Sequence, residues 1–178
     1  MRAVSRGVLL LLLVSSPVSG QSLVLQGSAG PTLSDAGYSV AAGIGFSPTS
    51  RLTVSLDVER THLFSTFTSD GRGGSSAFRG GTVTLAAAEL RVTLRGHDRA
   101  SPYVFGGLAA GVSRPNVNEH FPNRVTNAAR ALFYGGGIQV PLHRRISVFG
   151  DARVVVGGEG NDGVLALIPV RAGVAWRF

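Results

Sequence analysis

Cysteine is absent from the 178 residues. That excludes a disulfide framework, a thiol nucleophile, a cysteine-bound metal and a lipid anchor on an N-terminal cysteine. Lysine is absent too, so a formal net charge of +7 rests on 17 arginines against 10 acids. Such a balance can serve nucleic acid, but the arginines stand singly along the chain instead of forming a stripe. No nucleic-acid partner is expected, and a GC-rich coding sequence would produce the same all-arginine usage. Long hydrophobic runs are scarce. Val8 to Val14 falls far short of the roughly 20 apolar residues that a spanning helix needs. It follows Arg2 and Arg6 and precedes the small residues Ser15 to Gly20. That layout predicts a secretory signal peptide over residues 1–20, cleaved after Gly20, and a single folded domain over 21–178. No other segment can be a transmembrane helix, so life in a membrane would require a barrel. Metal-ligand spacing, a phosphate-cradling loop and a nucleotide motif are likewise missing, and no cofactor or metal is expected.

What the chain does have is a period of two. Along Arg51 to Leu63, Leu52, Val54, Leu56 and Val58 alternate with Thr53, Ser55, Asp57 and Glu59. Successive side chains of a strand point to opposite faces, so this is a strand with one apolar and one polar face. Eight such segments follow one another: Ser22 to Ala29, Gly37 to Phe46, Arg51 to Leu63, Thr82 to Leu94, Pro102 to Ser113, Ala128 to Val140, a seventh from Ile146 to Val156, and a last one from Val164. The fourth is the least regular, because Val83 and Leu85 have the wrong parity for the face carrying Leu90, Val92 and Leu94. A β-bulge between Leu85 and Glu89 would restore it. Connections after the second, fourth and sixth segments are short. Those after the first, third, fifth and seventh are mostly longer, above all Thr66 to Gly81 and Arg114 to Asn127. The many glycines, 25 in all, read as relief within strands and flexibility in loops.

The final stretch, IPVRAGVAWRF, sets Ile168, Val170, Ala172, Val174, Trp176 and Phe178 on one face. Exposed on a soluble terminal strand, those aromatics would invite edge pairing; facing lipid, they suit an interface. Arg171-x-Gly173-x-x-Trp176-x-Phe178 resembles the C-terminal signal that the barrel assembly machinery reads in bacterial outer-membrane barrels. Together with the strand rhythm and the loop asymmetry, the chain from 21 to 178 is similar to the OmpA/OmpX-like family of eight-stranded outer-membrane barrels. The resemblance implies an all-β, antiparallel, up-and-down transmembrane barrel in the outer membrane, with outer-membrane lipids, lipopolysaccharide and the barrel assembly machinery as partners. It also implies both termini on the periplasmic side and a role as a structural or surface-interaction protein, its extracellular ligand unspecified.

Inward parity falls on Asp57, Glu59, Glu89, Arg91, Asp151, Arg153, Arg171 and Arg177. A small barrel is filled by side chains, and charges survive there only as mutual partners. An interior ion-pair network is therefore expected, Asp57 or Glu59 with Arg91, and Asp151 with Arg153 or Arg171; the alternative places some of these at wet rims. Arg60 and His62 have outward parity beyond the apolar band and could meet lipopolysaccharide phosphates or simply water. Tyr38, Phe46, Tyr134, Trp176 and Phe178 would form aromatic girdles. Two rival readings stand. A lipid A-modifying enzyme needs His beside Ser near the outer leaflet, and only His62 with Ser65, or His120, sit on that side. A soluble lipocalin-like barrel needs the reverse parity, apolar inside. A narrow pore is disfavoured by the number of inward side chains.

Overall fold

A computed structural model describes residues 21–33, 36–64, 66–69, 75–78, 80–95, 99–117, 125–160 and 163–178, with backbone alone for 66–69 and 75–78. The expected signal peptide lies outside these residues. Eleven strands form, and no helix occurs among the described residues. They are β1 (Ser22–Thr32), β2 (Gly37–Ser47), β3 (Leu52–Leu63), β4 (Thr66–Ser69), β5 (Ser75–Phe78), β6 (Gly81–Thr93), β7 (Ser101–Pro115), β8 (Asn127–Pro141), β9 (Ile146–Glu159), β10 (Gly163–Leu167) and β11 (Val170–Arg177). The loop expected over Thr66 to Gly81 thus contains a short hairpin, β4 paired with β5.

β10 and β11 are one staggered line against β9: the register passes from Leu167↔Val155 to Val170↔Ala152 without a shift. The interruption falls at Pro169. Arg153 N–H donates to the Pro169 carbonyl at 3.0 Å, but proline has no N–H to return the bond. Counting this line once, eight antiparallel strands run in the order β1, β2, β3, β6, β7, β8, β9, β10–β11 and close back onto β1. Closure is staggered. A walk across the sheet from Ser22 passes Ser47, Thr53, Arg91, Phe105, Gly135, Arg153 and Pro169, and returns to β1 at Thr32, ten positions beyond its start. A stagger of that size tilts the strands steeply and leaves an interior just wide enough for side chains to fill.

Outside and inside alternate as a lipid-bathed barrel requires. Leu56, Val174 and Trp176 are 64%, 51% and 48% exposed, whereas Asp57 and Arg171 are each 5% exposed. A lipocalin-like arrangement, apolar within and polar without, is thereby ruled out. The exception is β6. Its register with β3 is unbroken from Leu52↔Val92 to Leu63↔Gly81, so the expected bulge does not exist. Val83, Leu85 and Ala87 simply point inward and are buried. They join Leu63, Ala109, Ala129, Ala131, Val155, Leu165 and Leu167. Toward the longer loops the lumen holds these apolar residues interspersed with the buried hydroxyl residues Ser39, Thr61 and Ser113, and the charge circuit sits below them.

Candidate functional site

The lumen is built from glycines upward. Four inward glycines each face an inward aromatic residue directly across a strand pair: Gly107 faces Phe133, Gly135 faces Phe105, Gly137 faces Tyr103 and Gly173 faces Phe149. A Cβ on Gly107 or Gly135 would stand 2.6 Å from the ring carbon Cζ of its partner, and one on Gly173 would stand 2.5 Å from that of Phe149. With no side chain in the way, each ring lies over its glycine, the cross-strand pairing that shields a glycine's exposed backbone. Those rings then receive guanidinium groups. Arg153 Cζ lies 4.2 Å from the Phe133 centroid and 5.3 Å from that of Phe105. Arg91 Cζ lies 4.6 Å from Tyr103 and 5.4 Å from Phe149. Each arginine lies against two rings, an attraction that strengthens away from water.

The guanidinium edges are left free to meet carboxylates. Arg153 donates from Nη1 to Glu59 Oε2 at 2.8 Å and from Nη2 to Glu89 Oε2 at 2.7 Å. Glu89 Oε1 accepts from Nε and Nη2 of Arg91 at 3.1 and 2.9 Å. Arg171 grips Asp151 with two parallel bonds of 2.9 and 3.0 Å, and its Nη1 reaches Glu59 Oε2 at 3.5 Å. Tyr103 Oη donates to Asp151 Oδ2 at 2.9 Å, and its ring lies under Arg91. The connections therefore close on themselves: Arg91, Glu89, Arg153, Glu59, Arg171, Asp151, Tyr103 and back to Arg91. Three arginines balance three carboxylates, all buried. Bidentate, charge-assisted bonds of this kind fix geometry.

The partners differ in part from those expected. Neither Asp57 nor Glu59 meets Arg91, because the β3–β6 register sets Asp57 beside Ala87 and Glu59 beside Leu85, while Arg91 stands beside Thr53. Glu59 instead reaches across the lumen to β9 and β11. Asp57 stands apart from the circuit. Gln26 Nε2 donates to its Oδ1 at 2.6 Å and Ser55 Oγ to its Oδ2 at 2.8 Å. The alternation sets Tyr103, Phe105, Phe133 and Phe149 at inward parity, but it does not show that they support the arginines; the signal for that is a ring at inward parity opposite an inward glycine, as in Phe105-Gly106-Gly107 and the run Phe133 to Gly137.

On the outside, Arg60 is exposed on β3. His62 lies two positions on, in an aromatic patch with Tyr38 at 5.4 Å and Phe64 at 5.6 Å between ring centroids. Its Nδ1 is 3.4 Å from Thr82 Oγ1. Ser65, His97 and His120 lie outside the described residues. Tyr38, Phe46, Tyr134, Trp176 and Phe178 are all exposed, and Trp176 stacks on Phe178 at 5.7 Å with planes 3° apart. Among the described residues no group of three or more His, Asp and Glu is placed to hold a metal.

Charge is distributed unevenly among the connections of the sequence. Connections 48–51, 94–100 and 142–145, with the end of β11, hold Arg51, Arg95, Arg99, Arg144, Arg145 and Arg177 against the single acid Asp98. The other connections hold Arg72, Arg79 and Arg124 against Asp35, Asp70, Glu119 and Asp162.

A closed eight-stranded antiparallel barrel, apolar outside and charged within, is the fold of the OmpA-like outer-membrane barrels. The solved structures it resembles are of that kind. The N-terminal β-barrel domain of OprF from Pseudomonas aeruginosa superposes with a TM-score of 0.63 at 14% identity, covering 88% of this chain and 97% of that one. Neisserial surface protein A gives 0.65 at 13% identity over 90% and 98% of the two chains. Ail, the attachment invasion locus protein of Yersinia pestis, solved with the heparin analogue sucrose octasulfate, gives 0.55 at 17% identity over 90% and 100%. No family model matches the chain, and no curated protein matches it in sequence.

Proposed function

We propose that this protein is a non-enzymatic outer-membrane barrel whose filled lumen makes it a rigid, non-conducting mount for surface loops that contact an extracellular ligand. The observation that carries the reading is the closed ion-pair circuit inside an apolar belt. It occupies the lumen with groups that neutralise one another, and so leaves neither a channel nor a free acid–base pair for chemistry. His62 offers little to a lipid A-modifying enzyme: its described neighbours are two aromatic rings and a threonine hydroxyl, with no carboxylate to orient it. Arg60 and His62 are better suited to the phosphates of lipopolysaccharide at the outer interface. Arg171, Gly173, Trp176 and Phe178 serve as the segment read by the assembly machinery after signal removal near Gly20.

The test is fractionation of cells producing the chain. The protein is expected in the outer-membrane fraction, to run faster on a gel unboiled than boiled, and to leave lipid A unmodified. Recovery in the soluble fraction, or a changed lipid A mass, would overturn the reading. Replacing Arg60 and His62 by Ala should preserve heat-modifiable migration while weakening retention of lipopolysaccharide.

A further inference from the structure

The excess positive charge of the folded domain gathers at the end where β1 begins and β11 ends, and we infer that this end is a collar that binds anionic phospholipid headgroups of the periplasmic leaflet. The inference rests on the outer-membrane reading above, since it needs that end to lie among periplasmic headgroups.

The strongest point of the collar is the turn between β8 and β9. Leu142 and His143 both donate their backbone N–H to the Ile146 carbonyl, at 2.9 and 3.0 Å, which folds residues 142–145 tightly. Arg177 N–H donates to the Arg145 carbonyl at 2.8 Å, tying the last strand to this turn. The result is a cleft of about 490 Å³ lined by His143, Arg144, Arg145 and Arg177 together with apolar Leu142 and Ile146. Arg144 and Arg145 are exposed, and no acid lines the cleft. Arg51 and Arg95, on the other two turns of this end, extend the same charge around the rim.

What selects a lipid over a free anion or an acidic protein is the neighbouring surface. Ile146 pairs with Trp176, and Trp176 stacks on Phe178, both exposed at the edge of the apolar belt. Tryptophan in such a place marks the boundary between hydrocarbon and headgroups. A phosphodiester held by Arg144 and Arg145 would leave its acyl chains beside that stack. Basic side chains attract anionic lipid by roughly 1 kcal/mol each near a membrane surface, which is about fivefold in affinity.

The experiment uses the folded full-length barrel in nanodiscs of phosphatidylcholine with a minority of phosphatidylglycerol, with retained lipid identified by native mass spectrometry after mild detergent extraction. Phosphatidylglycerol should be enriched several-fold over its bulk share. The double variant R144Q/R145Q should lose most of that enrichment and keep heat-modifiable migration. Raising salt should abolish the enrichment in the unaltered protein, which tests the idea without any variant. Equal retention of the two lipids, enrichment untouched by the double variant or by salt, or displacement by inorganic phosphate at low concentration would each overturn the collar. Failure of the unaltered protein to show heat-modifiable migration would instead overturn the barrel-in-membrane reading, so the two failures are told apart.

Discussion

At the scale of single residues, the lumen shows how a buried charge is made tolerable. Removing an ion from water costs several kcal/mol, and only close, well-oriented partners offset it. Glu89 uses both oxygens, one for Arg91 and one for Arg153. Glu89→Gln should therefore leave a buried guanidinium short of its counter-charge and cost about 3–5 kcal/mol, read as a lowered midpoint of urea unfolding in lipid vesicles. Asp57→Asn is the contrasting case. Its partners are the neutral Gln26 and Ser55, so loss of charge there should cost about 1.5–3 kcal/mol. Similar losses from the two variants would show that the circuit is not a unit. Glycine size matters at Gly135, where an added Cβ would collide with the Ala152 carbonyl oxygen and stand 2.6 Å from Phe105 Cζ. Gly135→Ala should therefore push β8 from β9 as well as displace the ring, at the upper end of about 1–3 kcal/mol, visible as a changed near-ultraviolet aromatic circular dichroism signal.

At the scale of elements, legibility followed the contrast between faces. β3 could be read at once because Leu56 and Asp57 differ in the way that lipid and lumen differ. β6 could not, because the upper lumen is itself largely apolar: Val83 and Leu85 look alike whichever way they point, and only the unbroken register with β3 decides. The cross-lumen partners of Glu59 were beyond reach for another reason. They depend on the ten-position stagger, which no local spacing records. The β4–β5 hairpin lies in a polar Gly- and Ser-rich stretch with no alternation to betray it. A cysteine-free chain makes β6 easy to test. A spin label at Val83→Cys should be immobile and shielded from membrane-dissolved oxygen, and one at Thr84→Cys should be relaxed readily by it. The reverse would restore a bulge.

At the scale of the whole molecule, a lumen stopped by a largely apolar layer above and a charge circuit below should pass no ions. Planar bilayers containing the folded protein are expected to show no stepwise conductance at neutral pH. Substituting Arg153 and Glu59 together by Ala removes a guanidinium and a carboxylate from the middle of that plug, and should open small, brief conductance steps if the barrel remains folded. Steady conductance of the unaltered protein would contradict the proposed mount. Those expectations belong to the closed cylinder and not to any strand within it.

The cylinder has one thin joint. β1 and β11 are in register from Val24↔Arg177 to Ala29↔Ala172, with a bridge between Thr32 and Pro169 and single hydrogen bonds from Leu33 N–H to the Ile168 carbonyl and from Phe178 N–H to the Leu23 carbonyl beyond them, whereas β6 and β7 are zipped from Gly81↔Pro115 to Thr93↔Tyr103. The residues meeting along that joint include Gly27, Ser28, Ala29, Ala172 and Gly173, whose small size leaves little side-chain contact. The wall is thus least extensively joined between its first and last strands, and thermal opening of the barrel is expected to begin there.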